Sequence, residues 1–591
     1  MARRLRFPWL LAATVVALAG CEAADGGADA VVPDTWTPDD VVGDPGGTTD
    51  PGEPVRDAVD PGPGDPGPAD PGAPDANRDA DVPASSPPAY LIVYQDDLAD
   101  AAEDFAAYRS STGYHVASVA VSTLVPGGLS NRSLVAPIRA RIEALIDETP
   151  GSPTPFLLLL GDAPAGGEDT AGRIPAVTCD NDTPGAGGCW TDNAYGDLDG
   201  DRVPEVAVGR VPARTVAIAR AYLDKVKDHE ANYAPGPWNR RISIYTGEAN
   251  FGAQIDALLE YAMFEGLKAI SHDFDIVGAY DNPKSAYYYT PFEDKVVDLF
   301  NQGNLMTVYV GHGSEEWTQG LTSDQIDRID CQHRLPVVFF FACYAGNHAG
   351  DDDSLAETIL WRDSGAIAAI GATDVSHPYG NAVLAYEVPR AALDERQPTA
   401  GEVLMRAKQQ MVWNQDDEFR SMVSASAFIA LEQMGDDTPL STIEIQHNDL
   451  YNLLGDPAVA MKYPPLAARV DPPAKPLTPG SMTVTGTVPG LSSGRAWVTL
   501  EVERDTYVQP LTPIDPKRPD HDAIRANWAK ANDKVIAGLT VPVVDGAFQA
   551  DLLWDSQVIK AGDWIKVLAD DGDVDQTRAP SVDAIGSAWT H

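Results

Sequence analysis

Two apolar stretches of the chain end on groups that can do covalent chemistry. LMTVYV runs into Gly311-His312-Gly313-Ser314, and VVFFFA runs into Cys343-Tyr344-Ala345-Gly346. A thiol of ordinary pKa, about 8.5, is mostly protonated at neutral pH, and a neighbouring imidazolium stabilises its thiolate. A Cys–His pair is therefore the minimal apparatus for nucleophilic attack on an acyl carbon. The glycines beside His312 let a substrate backbone approach closely. The backbone N–H groups of Gly313 and Cys343 are placed to bind the oxyanion of a tetrahedral intermediate. Taken singly, either residue has a blander explanation, as a buried small side chain or a polar cap on a turn. Their matched positions, each at the end of an apolar strand, favour the pair.

Such a pair needs a sheet whose strands end side by side. YLIVYQD, GYHVASVAV, PFLLLLGD, RISIYTG, NLMTVYVGHG, LPVVFFFACYAG and GAIAAIGAT read as strands, with helical patterns such as AIARAYLDKVKDHE between them. Strands alternating with helices specify an α/β domain with a mostly parallel sheet. In such sheets ligands bind at the carboxyl ends of the strands. After the linker PPAKPLTPG, alternating segments such as SMTVTGTV and AWVTLEVE predict an all-β sandwich over 470–591.

The N-terminus carries no fold of its own. MARRLRFPWLLAATVVALAGC has arginines, an apolar run and small residues ahead of Cys21, a secretory signal over 1–20. Its LAGC ending resembles the bacterial lipobox, which implies diacylation of Cys21 and attachment to the cell envelope. Residues 21–88 repeat DPG and PGxP units. Between residues 22 and 88 sixteen acids face only Arg56 and Arg78, a composition that cannot bury a core and stays extended as a tether. The whole chain of 591 residues has net charge −46, which excludes the basic footprint that nucleic acid requires. Cys179 and Cys189 flank the turn-rich DNDTPGAGG and are disulfide candidates in an oxidising compartment. That leaves Cys331 and Cys343 as free thiols, Cys331 being read as structural.

Several stretches together resemble the gingipain family of cysteine peptidases. They are VGHGS at 310–314, FACYAG at 341–346, TDNAYGDLDGDRVPEVAVGRVPA at 191–213, SLAETILWRDSGAIAAIGAT at 354–373 and NLLGDPAV at 452–459. The resemblance covers about 90 to 463. It implies a caspase-like α/β fold, with one subdomain over 89–238 and a catalytic one over 239–465. It implies a peptide or protein substrate, His312 as base, Cys343 as nucleophile, and an acid orienting the imidazole, for which Glu205 stands at the matching position. Glu205 has a rival role, because Asp197, Asp199 and Asp201 crowd the same turn in a pattern suited to Ca²⁺. The same acids also fit a solvated turn. No Walker loop, HExxH or GxSxG is present, and no organic cofactor is expected. Asp351, Asp352 and Asp353 follow the cysteine closely, as a pocket for a basic side chain or as a solvated loop. The dyad also serves acyl transfer to an amine, and the tether and sandwich also suit a display protein.

Overall fold

The structure, a computed structural model, describes residues 86–125, 133–168, 170–232, 235–247, 267–268, 270–415, 417, 419–425, 427, 438–471, 480–515, 517–554, 563–572 and 584–589. The signal peptide, Cys21 and all but the last three residues of the tether lie outside the described residues. Among the described residues no helix is long and apolar enough to cross a membrane.

Among the described residues fourteen strands precede residue 455: β1 (Ala89–Tyr94), β2 (His115–Ala120), β3 (Phe156–Leu160), β4 (Val177–Cys179), β5 (Cys189–Thr191), β6 (Ala207–Val211), β7 (Arg241–Thr246), β8 (Asp275–Tyr280), β9 (Met306–Val310), β10 (Trp317–Thr318), β11 (Leu321–Thr322), β12 (Val337–Phe341), β13 (Ala368–Ala372) and β14 (Tyr451–Leu454). Ten of them form one sheet in the order β2-β1-β3-β6-β14-β13-β12-β9-β7-β8. Central strands such as Phe156–Leu160 and Val337–Phe341 are apolar at every position and buried throughout, as a sheet covered on both faces demands. The mostly parallel, caspase-like α/β sheet implied by the resemblance is present.

The last strand sets the geometry. β14 runs antiparallel to β13 and parallel to β6. It sits between two parallel groups that therefore point in opposite directions. The carboxyl ends of β9, β12 and β13 share an edge with the amino end of β6. Helices start where their caps dictate. Thr215 accepts from the Ile218 N–H at the head of Val216–Ala231, and Ser354 and Glu357 form a reciprocal capping box at the head of Leu355–Trp361.

Among its described residues the C-terminal region is all-β apart from one helix. Its strands are β15 (Leu466–Ala467), β16 (Arg469–Val470), β17 (Ser481–Thr487), β18 (Ser493–Glu501), β19 (Val535–Val544), β20 (Ala547–Leu553), β21 (Trp564–Asp570) and β22 (Ala584–Trp589). They make one sheet in the order β15-β22-β21-β18-β19-β20-β17-β16. The two end strands are joined through Ala468, so the expected sandwich is closed like a barrel. This region also begins a few residues before 470, because β15 and β16 already belong to it. One face of each strand fills the core, as the strict alternation along Ala547–Leu553 shows.

This region also covers an exposed edge of the ten-stranded sheet. β8 is an end strand, and an unpaired edge is a template for aggregation. Helix His521–Asn532 blunts it. The Asn532 side chain accepts from the Gly278 N–H (2.8 Å) and donates to the Gly278 carbonyl (3.1 Å), which also accepts from Trp528 Nε1 (2.8 Å). Lys566 bridges Asp275 (2.6 Å) and Glu501 (3.0 Å) across the same junction. Asn532→Ala is expected to cost about 1 kcal/mol, since the half-buried Gly278 N–H loses its partner while the carbonyl keeps Trp528. A urea midpoint unchanged from wild type would show that the clamp contributes nothing.

Candidate active site

β9 and β12 are adjacent and parallel, with Val310 opposite Phe341. His312 and Cys343 each lie two residues beyond that pair. The turns that carry them touch. The Gly311 N–H donates to the Phe341 carbonyl (3.3 Å). A Cβ on Gly313 would stand 2.8 Å from Ala342 Cβ and 3.2 Å from the Cys343 carbonyl, so glycine alone fits this contact. The Tyr309 hydroxyl donates to the His312 carbonyl (2.6 Å) and pins the imidazole-bearing turn.

The cysteine sits on a strained elbow. Tyr344 directly after it has φ +59°, a left-handed conformation that costs a non-glycine residue roughly 1–2 kcal/mol. Its N–H donates to the Asp374 carbonyl (3.1 Å), which holds the turn. Cys343 is 6% exposed. Its sulfur lies 3.4 Å from the backbone nitrogen of Ser376, 3.7 Å from its hydroxyl and 4.0 Å from its carbonyl.

The Ser376 segment is held by the disulfide ribbon. Cys179 and Cys189 are bonded across β4 and β5, with Cα atoms 5.0 Å apart. The Asp374 carboxylate, fully buried, accepts from Asn181 Nδ2 (3.1 Å) and from the N–H groups of Gly187 (3.2 Å) and Gly188 (3.3 Å) of that ribbon. Thr373 donates to the Trp190 carbonyl (2.7 Å).

Glu205 is not brought to His312. It precedes β6, and β14, β13 and β12 stand between β6 and β9. At about 4.8 Å per strand the two lie roughly 19 Å apart, far beyond hydrogen-bond reach. An orienting acid must touch the imidazole, so the role implied by the resemblance does not fit Glu205. Its carboxylate instead accepts from the Leu198 N–H (2.7 Å). Burial raises its pKa against that hydrogen bond, and Asp199, Asp197 and Asp201 raise it further.

The acids themselves regroup. One ligand atom each of Asp197, Asp199 and Glu205 lie within 4.8 Å of one another. Asp201 turns away and accepts from the Val203 N–H (2.8 Å). Asp197 also meets Arg139 (3.1 Å). The expected trio of aspartates is thus two aspartates and Glu205.

Among the three acids after the cysteine, Asp353 pairs with Arg214 at 2.7 Å, while Asp351 and Asp352 are exposed. The solvated-loop reading fits those two, and Asp353 is committed elsewhere. Cys331 is buried and donates to the Phe300 carbonyl (3.2 Å). Burial pushes its thiol up to about 12, so it is chemically quiet.

Sequence spacing gave no sign of the network behind the site. Arg210, fully buried, makes a two-pronged pair with Asp192 (2.8 and 2.7 Å) and donates to the carbonyls of Gly161 and Ile174 (both 3.0 Å). His348, five residues past Cys343, lies 3.4 Å from the same Asp192. The chain leaving the cysteine is thereby anchored to the N-terminal half of the sheet.

Comparison with known proteins identifies the family of the chain. The model of Peptidase family C25 matches residues 83–462. Gingipain R2 of Porphyromonas gingivalis is 24% identical over 239 residues, 38% of this chain and 29% of that one. The chain thus matches less than a third of the length of that relative. The crystal structure of the Arg-specific cysteine proteinase gingipain R superposes with a TM-score of 0.46 and 15% identity, over 86% of this chain and 99% of that one. The separase–securin complex of Saccharomyces cerevisiae gives a TM-score of 0.31 at 10% identity, over 54% of this chain and 17% of that one. With the family match spanning well over half its length, the chain belongs to peptidase family C25.

Proposed function

We propose that the chain is a cysteine endopeptidase that cleaves peptide bonds with Cys343 as nucleophile and His312 as general acid and base. The observation that carries this reading is the equal offset of the two residues past the Val310–Phe341 pair, with their turns in contact at Gly313. The Cys343 thiol gives its proton to His312. The thiolate attacks the scissile carbonyl, and the N–H groups of Gly313 and Cys343 receive the oxyanion. His312 then protonates the leaving amine, which departs as a thioester forms between Cys343 and the acyl half. A water, deprotonated by His312, releases the acid and restores the thiol.

A calcium ion on Asp197, Asp199 and Glu205 is part of the same proposal. Three clustered carboxylates repel one another unless a cation offsets them. Chelation should then lower the melting temperature, because a ligand bound only by the folded state stabilises it, by about 2.7 kcal/mol at a hundredfold excess over Kd. Identical melting curves with chelator and with millimolar Ca²⁺ would remove calcium from the account.

Export and a lipid anchor on Cys21 complete the reading, supported by the signal and tether at the N-terminus. The choice between hydrolysis and transfer to an amine is made by product analysis. Incubation with a peptide library should yield new free carboxyl ends by mass spectrometry. Products that appear only with an added amine, joined to it, would establish a transpeptidase instead.

A further inference from the structure

We propose that Ser376 is a further catalytic residue of this site, one whose N–H and hydroxyl hold the Cys343 sulfur as a thiolate. Asn381 and Tyr451 are the positioning residues that aim the hydroxyl. This rests on the reading of Cys343 as nucleophile and adds a second source of its activation.

All the polar atoms of Ser376 turn towards the sulfur. In the thiol form the S–H faces the Ser376 carbonyl at 4.0 Å, while the Ser376 N–H donates to the sulfur at 3.4 Å. Once the proton passes to His312, the sulfur is acceptor only. The N–H and the hydroxyl at 3.7 Å are then its two donors. Hydrogen bonds to the charged form of a group favour that form, and those to an ion are the stronger ones.

The direction of the hydroxyl is set from behind. Asn381 Nδ2 donates to Ser376 Oγ at 2.8 Å, which occupies an oxygen lone pair and leaves the hydroxyl hydrogen to the sulfur or to the neighbouring Tyr451 hydroxyl. Asn381 in turn is oriented by Tyr451, whose hydroxyl donates to its Oδ1 at 2.6 Å. Tyr451 is fully buried at the head of β14, and Asn381 lies in the first turn of helix Pro378–Pro389. The relay therefore ties the sulfur to two rigid elements.

Tyr309 on β9 and Tyr451 on β14 are held neutral, since burial raises both hydroxyls well above their ordinary range. The Asp374 carboxylate is taken up by Asn181, Gly187 and Gly188.

The test is the pH profile of Cys343 alkylation by iodoacetamide in the full chain, read by mass spectrometry of the Cys343 peptide. Wild type should react well below the pH at which a free thiol does. Ser376→Ala should shift the profile upward and slow alkylation about tenfold on its acid side, the size expected for one charge-assisted hydrogen bond. Ser376→Thr should restore it. Asn381→Ala should shift it in the same direction by less, which keeps the test available if Ser376→Ala does not fold. Peptide cleavage by Ser376→Ala should lose kcat with KM little changed. An Ser376→Ala profile superimposable on wild type would overturn the proposal while leaving Cys343 as nucleophile. A wild-type profile of an ordinary thiol would overturn the reading of Cys343 itself.

Discussion

Cys343→Ala is expected to abolish peptide cleavage, with a loss of at least about 10⁴-fold in kcat/KM, and His312→Ala nearly as much. The two act as one unit, so the double variant should be no worse than either single one. Both changes remove side chains at strand ends rather than from the core of the sheet, and the far-ultraviolet spectrum and melting temperature should hold. Cys331→Ala serves as the thiol control. Its sulfur is bonded to the Phe300 carbonyl and shifted up to about 12 by burial, so cleavage should be unaffected. Cleavage by Cys343→Ala at the wild-type rate would end the account.

Arg210→Ala is expected to be strongly destabilising. It leaves the buried Asp192 carboxylate with His348, 3.4 Å away, in place of its two-pronged partner, and strips two buried carbonyls of a donor. Removing one partner of a buried pair typically costs about 3–5 kcal/mol, visible as a large fall in the urea midpoint. The pair also has a pH signature. Burial tends to raise the pKa of Asp192, but Arg210 and His348 outweigh it and hold the group well below the carboxylate range. A pKa depressed by folding gives stability that is present above the unfolded value, about 3.9, and is lost as pH falls below it. Arg210→Ala should lose that acid-limb dependence along with its stability. An Arg210→Ala chain as stable as wild type would show that the network does not hold the two halves together.

What the sequence made legible is what local pattern can carry. Continuous apolar runs such as Phe156–Leu160 and Val337–Phe341 announced buried parallel strands, and the ends of Met306–Val310 and Val337–Phe341 carry the candidate pair His312 and Cys343. Two cysteines around a turn-rich loop announced the disulfide, because a short loop keeps them close. What stayed hidden depends on strand order. Nothing near Glu205 reveals that β14, some 240 residues later in the chain, inserts between β6 and β13 and moves that acid four strands from the imidazole. The contacts of Asp374 with Asn181 and the ribbon glycines, and of His348 with Asp192, are likewise long-range and follow from no spacing. The acidic cluster was legible to within one residue, since a turn of acids is local but which carboxylates come together is set by the turn itself. Closure of the C-terminal sheet through Ala468 was missed because β15 and β16 are only two residues each, too short to read as strands.

The central claim is that Cys343 is the activated nucleophile and that His312 activates it. Labelling with a peptidyl acyloxymethyl ketone, followed by mass-spectrometric mapping of the modified residue, tests it most directly, since that reagent is captured by a thiolate at a peptide-binding site. The account predicts a single adduct on Cys343, slowed strongly by His312→Ala and untouched by Cys331→Ala. An adduct on Cys331, or labelling of Cys343 at the same rate without His312, would contradict it.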